Sequence, residues 1–424
     1  MMIKMKKIKS KKKINNLYHR YKKIYFLNFY KAIIIAFFFN FILPYQSEQD
    51  FKKCIWIKSQ QLKNEESIKN IISKAYRSGY KIIFLQLDVH NDFHYNPILE
   101  QENDELDFDC LKTALYWSNL YDIELHIWIN TYKIWSSTWG PPNNHAFHKI
   151  STRSKDWFAT DINGHSDYNY DFNKTASNFS GVYLSPLNDE VNDYIKSIIT
   201  KILYNYKGKF HGIHLDYLRY KDNMYGYNYI GRKEFYDTHN IDPIYLNRNL
   251  NFDNSELIDS LNLIKNNWIN FKNNRIDSLV KDINSLIATY NQINSKEIKF
   301  SVAVKPNIYE AKNRWNQNWD NWIKNEFVDF VVVMNYFSDT ESFSDNLWNL
   351  YKYFHSSKNI DNIYIGINTI VENLEQNNLM DINIIKQQVQ NVQDFSFPGV
   401  AIFSSEYYDY YPTLYLDIFP EGNK

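Results

Sequence analysis

The chain has 424 residues, enough for one large domain or two ordinary ones, and its 44% hydrophobic and 23% charged content excludes a disordered or fibrous protein. The net charge of zero conceals an asymmetry. Residues 1–45 hold 11 Lys or Arg and no acid, leaving 48 − 11 = 37 basic against 48 acidic residues downstream, about −11, which argues against nucleic acid as a ligand.

Met1 to Lys23 is a polybasic arm. Ala32 to Leu43 follows as an apolar core broken only by Asn40 and stopped by Pro44. That core is short for a bilayer span and fits a signal peptide, with cleavage expected between Pro44 and Phe51. An uncleaved anchor extended back to Phe26 across Lys31 is the alternative. Either way the body, residues 46–424, is expected to be exported, with the membrane met only through the N-terminal segment. Cys54 and Cys110 have neither zinc spacing nor the density of a disulfide framework.

Beyond Cys54, short apolar runs alternate with helical patterns. The runs are Cys54–Ile57, Lys81–Val89, Glu124–Asn130, Gly212–Tyr217, Lys299–Val304, Val328–Asn335, Ile363–Asn368 and Gly399–Ser404. Amphipathic stretches separate them, among them Glu66–Arg77, Asp189–Tyr206, Trp268–Tyr290 and Ile382–Phe395. Eight such units predict an α/β fold, a (β/α)8 TIM barrel with long loops after strands 3 and 4. The third loop, with Trp135, Trp139 and Trp157, reads as an ordered wall.

Strand ends in such a barrel converge on one site. Here they offer Asp88, His90, Asp92 and Tyr95; His126, Trp128, Asn130 and Tyr132; His214, Asp216, Tyr217, Arg219 and Tyr220; Lys305 and Asn307; Asn335, Tyr336 and Asp339; and Ser404, Ser405 and Glu406. Carboxyl groups among aromatic rings and amides suit polyhydroxylated substrates, and most glycosidases need two carboxyls flanking the bond. The 35 Tyr, 28 Phe and 11 Trp supply sugar platforms, although a compositional bias toward Tyr gives the same count. The alternation Asp88, His90, Asp92, His94 also fits a metal site or plain surface polarity. We assign it no metal and the chain no cofactor. His145 and His148 read as solvated loop residues. No nucleophile elbow, phosphate loop or dinucleotide fingerprint is present.

In order and spacing, these residues make the chain resemble the glycosyl-hydrolase-like family 10 (DUF187-type) bacterial barrel proteins, which are distinct from the family 10 xylanases. Gln86, Asn91-Asp92 and Tyr95 match the second-strand pattern, with Asn91 in place of a glycine. His126, Trp128 and Asn130 meet the third-strand His-x-Trp-x-Asn. Ser185-Pro186, Glu190-Val191 and Tyr194 fit the following helix start. Gly212, Ile213, His214, Asp216 and Tyr217 meet the fourth-strand signature, with His211 replacing its first acid. Tyr225-Gly226-Tyr227, Asp242-Pro243, Ser301, Met334-Asn335-Tyr336 and Gly366 complete the match, from about Lys53 to Tyr407. The resemblance implies a barrel acting on a bacterial polysaccharide or oligosaccharide, with cell-wall glycan a leading class.

Asp216, placed at a solvent-facing strand end, is the first candidate for an essential carboxylate, held by Arg219 or a nearby Tyr; a nucleophilic or stabilising role needs it ionised, which the neighbouring Arg219 would favour. Its partner is open among Glu406, Asp92, Asp88 and Asp339. Rival readings are a barrel that binds glycan without cutting it, a metal-dependent deacetylase using Asp88, His90 and Asp92, and an Asp216–Arg219 pair that merely closes a strand.

Overall fold

The computed structural model describes residues 51–91, 108–172, 180–246, 255–372, 377–410 and 418–419. The leader or anchor expected within residues 1–45, together with Asp92, His94 and Tyr95, lies outside them. Eight parallel strands form the closed barrel: β1 (Lys52–Ile57), β2 (Ile82–Leu87), β3 (Glu124–Asn130), β4 (Gly212–Asp216), β5 (Lys299–Val304), β6 (Phe330–Met334), β7 (Ile363–Asn368) and β8 (Gly399–Phe403). Each pairs with its sequence neighbours, and β1 closes the ring by pairing with β8, Lys52 opposite Gly399. All eight expected strands are present, so the fold is the (β/α)8 barrel.

The strands are apolar on both faces because both faces are covered. Outward residues such as Ile57, Leu85, Ile213, Val302 and Val331 pack in one core with the surrounding helices. Inward residues Cys54, Trp56, Ile82, Phe84, Trp128, Ala303, Phe330, Val332 and Ala401 fill the barrel itself. Cys54 and Cys110 form no disulfide with each other.

Two histidines expected at the glycan site belong to this interior. His214 is wholly buried. Its Nε2 accepts from Trp56 Nε1 at 3.2 Å, because indole only donates, so its Nδ1 carries the proton and donates to Ser301 Oγ at 2.9 Å. The ring stacks on Phe84 with centroids 4.1 Å apart, and burial pushes its pKa well down. His126, also wholly buried, lies between the Phe84 and Phe330 rings and donates from Nε2 to Glu124 at 3.4 Å. Both are neutral struts of the core rather than sugar contacts.

His126 also explains Gly212. A Cβ there would sit 2.2 to 2.8 Å from three atoms of the imidazole ring. The glycine therefore makes room for His126.

The loop after β3 packs Phe147, Phe158, Tyr168 and Phe172 against one another and is tied to the loop after β4. Lys221 pairs with buried Asp167 at 2.8 Å, Asn228 donates to the Asp156 and Phe158 carbonyls, and Tyr227 N–H donates to the Thr160 carbonyl. The two loops form one wall beside the barrel mouth. The second continues into a 40-residue helix, Ser255–Asn294, longer than the Trp268–Tyr290 pattern suggests.

Gly212→Ala tests the packing at the barrel centre. It should cost about 2–3 kcal/mol or more, the upper end of overpacking penalties, because neither the flanking rings nor the backbone can yield. Chemical denaturation would measure it, and a change within about 0.5 kcal/mol would contradict the account.

Candidate active site

The site is built at the C-terminal end of β4. Asp216 ends the strand, and its carbonyl accepts from Thr131 N–H of the β3 side at 2.8 Å. Tyr217 then turns the chain with φ of 51°, a left-handed backbone rare for a bulky residue and commonly found at functional sites. That turn aims Tyr217 N–H at Asp216 Oδ1, 2.6 Å away. The side chain is buried, so the solvent-facing placement expected from sequence is corrected. Burial raises its pKa and outweighs the Tyr217 hydrogen bond and the charges of Arg219, Lys133 and Lys305, which all act to lower it. Asp216 and Arg219 make no direct ion pair, so they are not a clasp closing the strand.

Three cations from three strand ends surround this carboxyl. Arg219, 92% buried, lies over the Tyr217 ring at 5.0 Å and hydrogen-bonds Tyr183. Lys133 lies over the same ring at 4.6 Å, and Lys305 over Trp315 at 4.7 Å. Burial lowers both lysines to about 8. Burial, together with the negative charge of Asp216, pushes the Tyr336 hydroxyl well up.

The floor is aromatic. Phe403 meets Trp128 edge-on at 6.2 Å and stacks on Tyr336 at 5.7 Å. Trp128 Nε1, Asn130 Oδ1 and Arg219 Nε are buried without a protein hydrogen-bond partner. Trp128 lies in the barrel interior, Asn130 follows it on the same strand face, and Asn130 pairs in register with Asp216. Buried polar atoms left unpaired call for an explanation, and a bound ligand is one; others lie elsewhere in the fold, such as Trp268 Nε1 and Gln388 Oε1, but these three lie near the Asp216 carboxyl.

The other expected residues are dispersed. Glu406 pairs with Lys58 at 2.7 Å and accepts from Ser404 Oγ at 3.2 Å. Because Lys58 Nζ also lies 5.2 Å over Phe403, Glu406 borders the same aromatic floor from the β1–β8 side. It lines a polar cavity of about 390 Å³ with Gln60, Gln61 and Tyr408. Asp339 is exposed and caps a helix through Ser342 N–H, which removes it as a partner acid. Asn335 is buried, tied to Phe343 and Asn346, and holds β6 to its helix rather than meeting a substrate. Asp88 is exposed. His90 is buried, Nε2 donating to the Asn130 carbonyl at 3.0 Å and Nδ1 accepting from Tyr194 at 3.1 Å, with its pKa lowered to about 4 by burial. With both nitrogens engaged, it is no metal ligand for a deacetylase. His145 is buried and caps the helix Ala146–Arg153, so it is not the solvated residue expected.

Sequence reasoning left out Lys58, Lys133, Tyr183 and Phe403, and gave Lys305 no role. One signal was available: β1, β3 and β5 are each followed within three residues by a lysine.

Residues 125–383, more than half of the chain, match the family described as Glycosyl hydrolase-like 10. The chain belongs to this family. No curated protein matches its sequence. Among solved structures it resembles the PgaB (BpsB) glycoside hydrolase domain from Bordetella bronchiseptica, at 11% identity and a TM-score of 0.56, covering 86% of this chain and 98% of that one. It also resembles the catalytic domain of β-amylase from Paenibacillus polymyxa, at 11% identity and a TM-score of 0.55, covering 88% and 96%. At such identities these likenesses speak to the barrel fold. In this family member the third-strand motif divides its labour: His126 props the core, while Trp128 and Asn130 reach the mouth.

The raised pKa of Asp216 has a consequence for stability. Below the ordinary carboxylate range, near pH 4, the group is protonated whether folded or unfolded and nothing is lost. As pH rises through the folded value, the native state must hold a buried charge and loses stability. Asp216→Asn is neutral throughout. Its melting temperature relative to wild type should therefore increase between about pH 4 and pH 7, as measured by calorimetry. A gap that shrinks would mean that the three cations outweigh burial.

Proposed function

We propose that the chain is an exported glycoside hydrolase acting on a bacterial polysaccharide, cell-wall glycan being a leading class, with Asp216 as its essential carboxyl. One observation carries the reading: Trp128 Nε1, Asn130 Oδ1 and Arg219 Nε, buried without protein partners, accompany a buried carboxyl above an aromatic floor. Sugar hydroxyls satisfy such atoms, and sugar faces stack on such rings. Membership of a glycosyl-hydrolase-like family supports the same reading.

A raised pKa suits Asp216 to hold a proton and deliver it to a departing glycosidic oxygen, rather than to the always-ionised role that Arg219 would suggest. Glu406 and Asp92 are the candidates for the second acid. Glu406 borders the floor, and Asp92 lies outside the described residues. Two carboxyls about 5 Å apart would give retention, and about 6.5–9.5 Å inversion. A binding-only barrel is favoured by a different observation: the charges acting most strongly on Asp216 are all cations. Export rests on the basic arm and apolar core of residues 1–45. Full-length protein recovered from the cytosol would overturn that part.

Asp216→Asn preserves shape and removes the proton donor. Turnover on bacterial cell-wall glycan should fall at least roughly a hundredfold, while oligosaccharide binding persists through the aromatic floor. Unchanged turnover per folded molecule would sink the assignment. Binding with no turnover in the wild type would establish the binding-only barrel.

A further inference from the structure

The charges around the mouth do not balance. Lys58 is matched by Glu406, Lys221 by Asp167, and Arg314 by Asp222. Lys133, Arg219 and Lys305 have no carboxylate within ion-pairing distance among the described residues. The one acid they surround is Asp216, whose burial favours its neutral form. At pH values below about 8, where Lys133 and Lys305 keep their protons, three cations against at most one negative charge leave the mouth with an excess of about two positive charges or more.

We propose that Lys133, Arg219 and Lys305 form a subsite for an acidic group on the glycan, a carboxylate or a sulfate ester carried by the sugar that lies against Asp216. The proposal rests on the glycan-acting reading above and narrows its substrate class.

Three features support it. The cations come from the ends of β3, β4 and β5, so they converge across the mouth instead of lining one exposed helix face. Aromatic rings position them: Tyr217 faces both Lys133 and Arg219, and Trp315 faces Lys305. A ring holds a cation in place without neutralising it, which leaves the charge available to a ligand. Finally, Arg219 is 92% buried and its Nε has no partner, although desolvated guanidinium groups ordinarily engage all the acceptors they can reach. The surrounding body is acidic, with 37 basic against 48 acidic residues beyond position 45. A long polyanion would be repelled by it, so the positive mouth suits one acidic group at one subsite.

The test uses chemically matched pairs: oligogalacturonides with their carboxyl-reduced neutral forms, and sulfated oligosaccharides with their desulfated forms. Affinities are measured by calorimetry on the full chain. The acidic member of at least one pair should bind roughly tenfold or more tightly, the scale of one charge-assisted hydrogen bond. The two arms tell carboxylate from sulfate. Lys133→Met and Lys305→Met keep the aliphatic stems and should each bring the acidic-to-neutral ratio toward one, with melting temperature monitored alongside. Equal or better binding of the neutral members overturns the subsite and leaves the glycan reading standing, as does a ratio that survives both lysine substitutions. Binding of no glycan of either kind overturns both.

Discussion

A carboxyl group removed from water must lose its charge or gain compensating ones, and the mouth of this barrel is arranged around that constraint. Asp216 meets both conditions in part. Burial raises its pKa, while Arg219, Lys133 and Lys305 pull the other way without touching it. Such a group is sensitive to small changes in its surroundings, which is the state an acid catalyst needs. The opposite end of the same barrel shows a different solution. Glu124 opens β3, accepts from His126 and pairs with Lys299 at 3.0 Å, and these contacts outweigh burial to lower its pKa to about 2. One carboxyl is structural because its partners bind it directly; the other is left available because its partners stand back.

The rest of the fold keeps that arrangement fixed. Closing eight strands places Trp128, Asn130 and Asp216 on adjoining strands in register. Gly212 leaves room for His126 beneath them, and His214 locks Trp56 and Ser301 together in the layer below the mouth. Above, the left-handed turn at Tyr217 provides both the N–H that orients Asp216 and the ring that faces two of the cations. The loop after β3 supplies Lys133 and Tyr183 from one short ribbon, Lys133–Trp135 against Val182–Tyr183. A site so dependent on loop residues needs this wall to be packed, and its buried Asp167–Lys221 pair and Asn228 network hold it.

The eight strands are legible in the sequence because parallel strands buried on both faces leave near-continuous apolar runs such as IIFLQL, interrupted only by Gln86, and FVVVM. Asp216, Trp128, Asn130 and Arg219 were legible as polar or aromatic residues at strand ends. What strand ends alone could not convey is how far each side chain stands from water. His126 and His214 share the inward face with Trp128 and Asp216 but lie deeper, where a neighbour satisfies at least one nitrogen of each ring. Asn335 turns away to its own helix, and Asp339 caps that helix. Lys133 escaped notice because it belongs to a loop whose return strand, Val182–Tyr183, lies about fifty residues downstream, and no local pattern announces that pairing. The raised pKa of Asp216 is hidden from the sequence for a similar reason: Arg219 is visible at three residues' distance, whereas burial comes from the whole mouth.

The central claim is that Asp216 is a buried, readily protonated carboxyl at the glycan-binding mouth. Its most direct test is a carbon-13 NMR titration of the side-chain carboxyl, assigned with the Asp216→Asn variant, without and with an oligosaccharide. The account predicts a midpoint above the ordinary Asp range of about 4, and a carboxyl resonance that moves when the oligosaccharide binds. A midpoint at or below that range, with a resonance indifferent to the oligosaccharide, would contradict it.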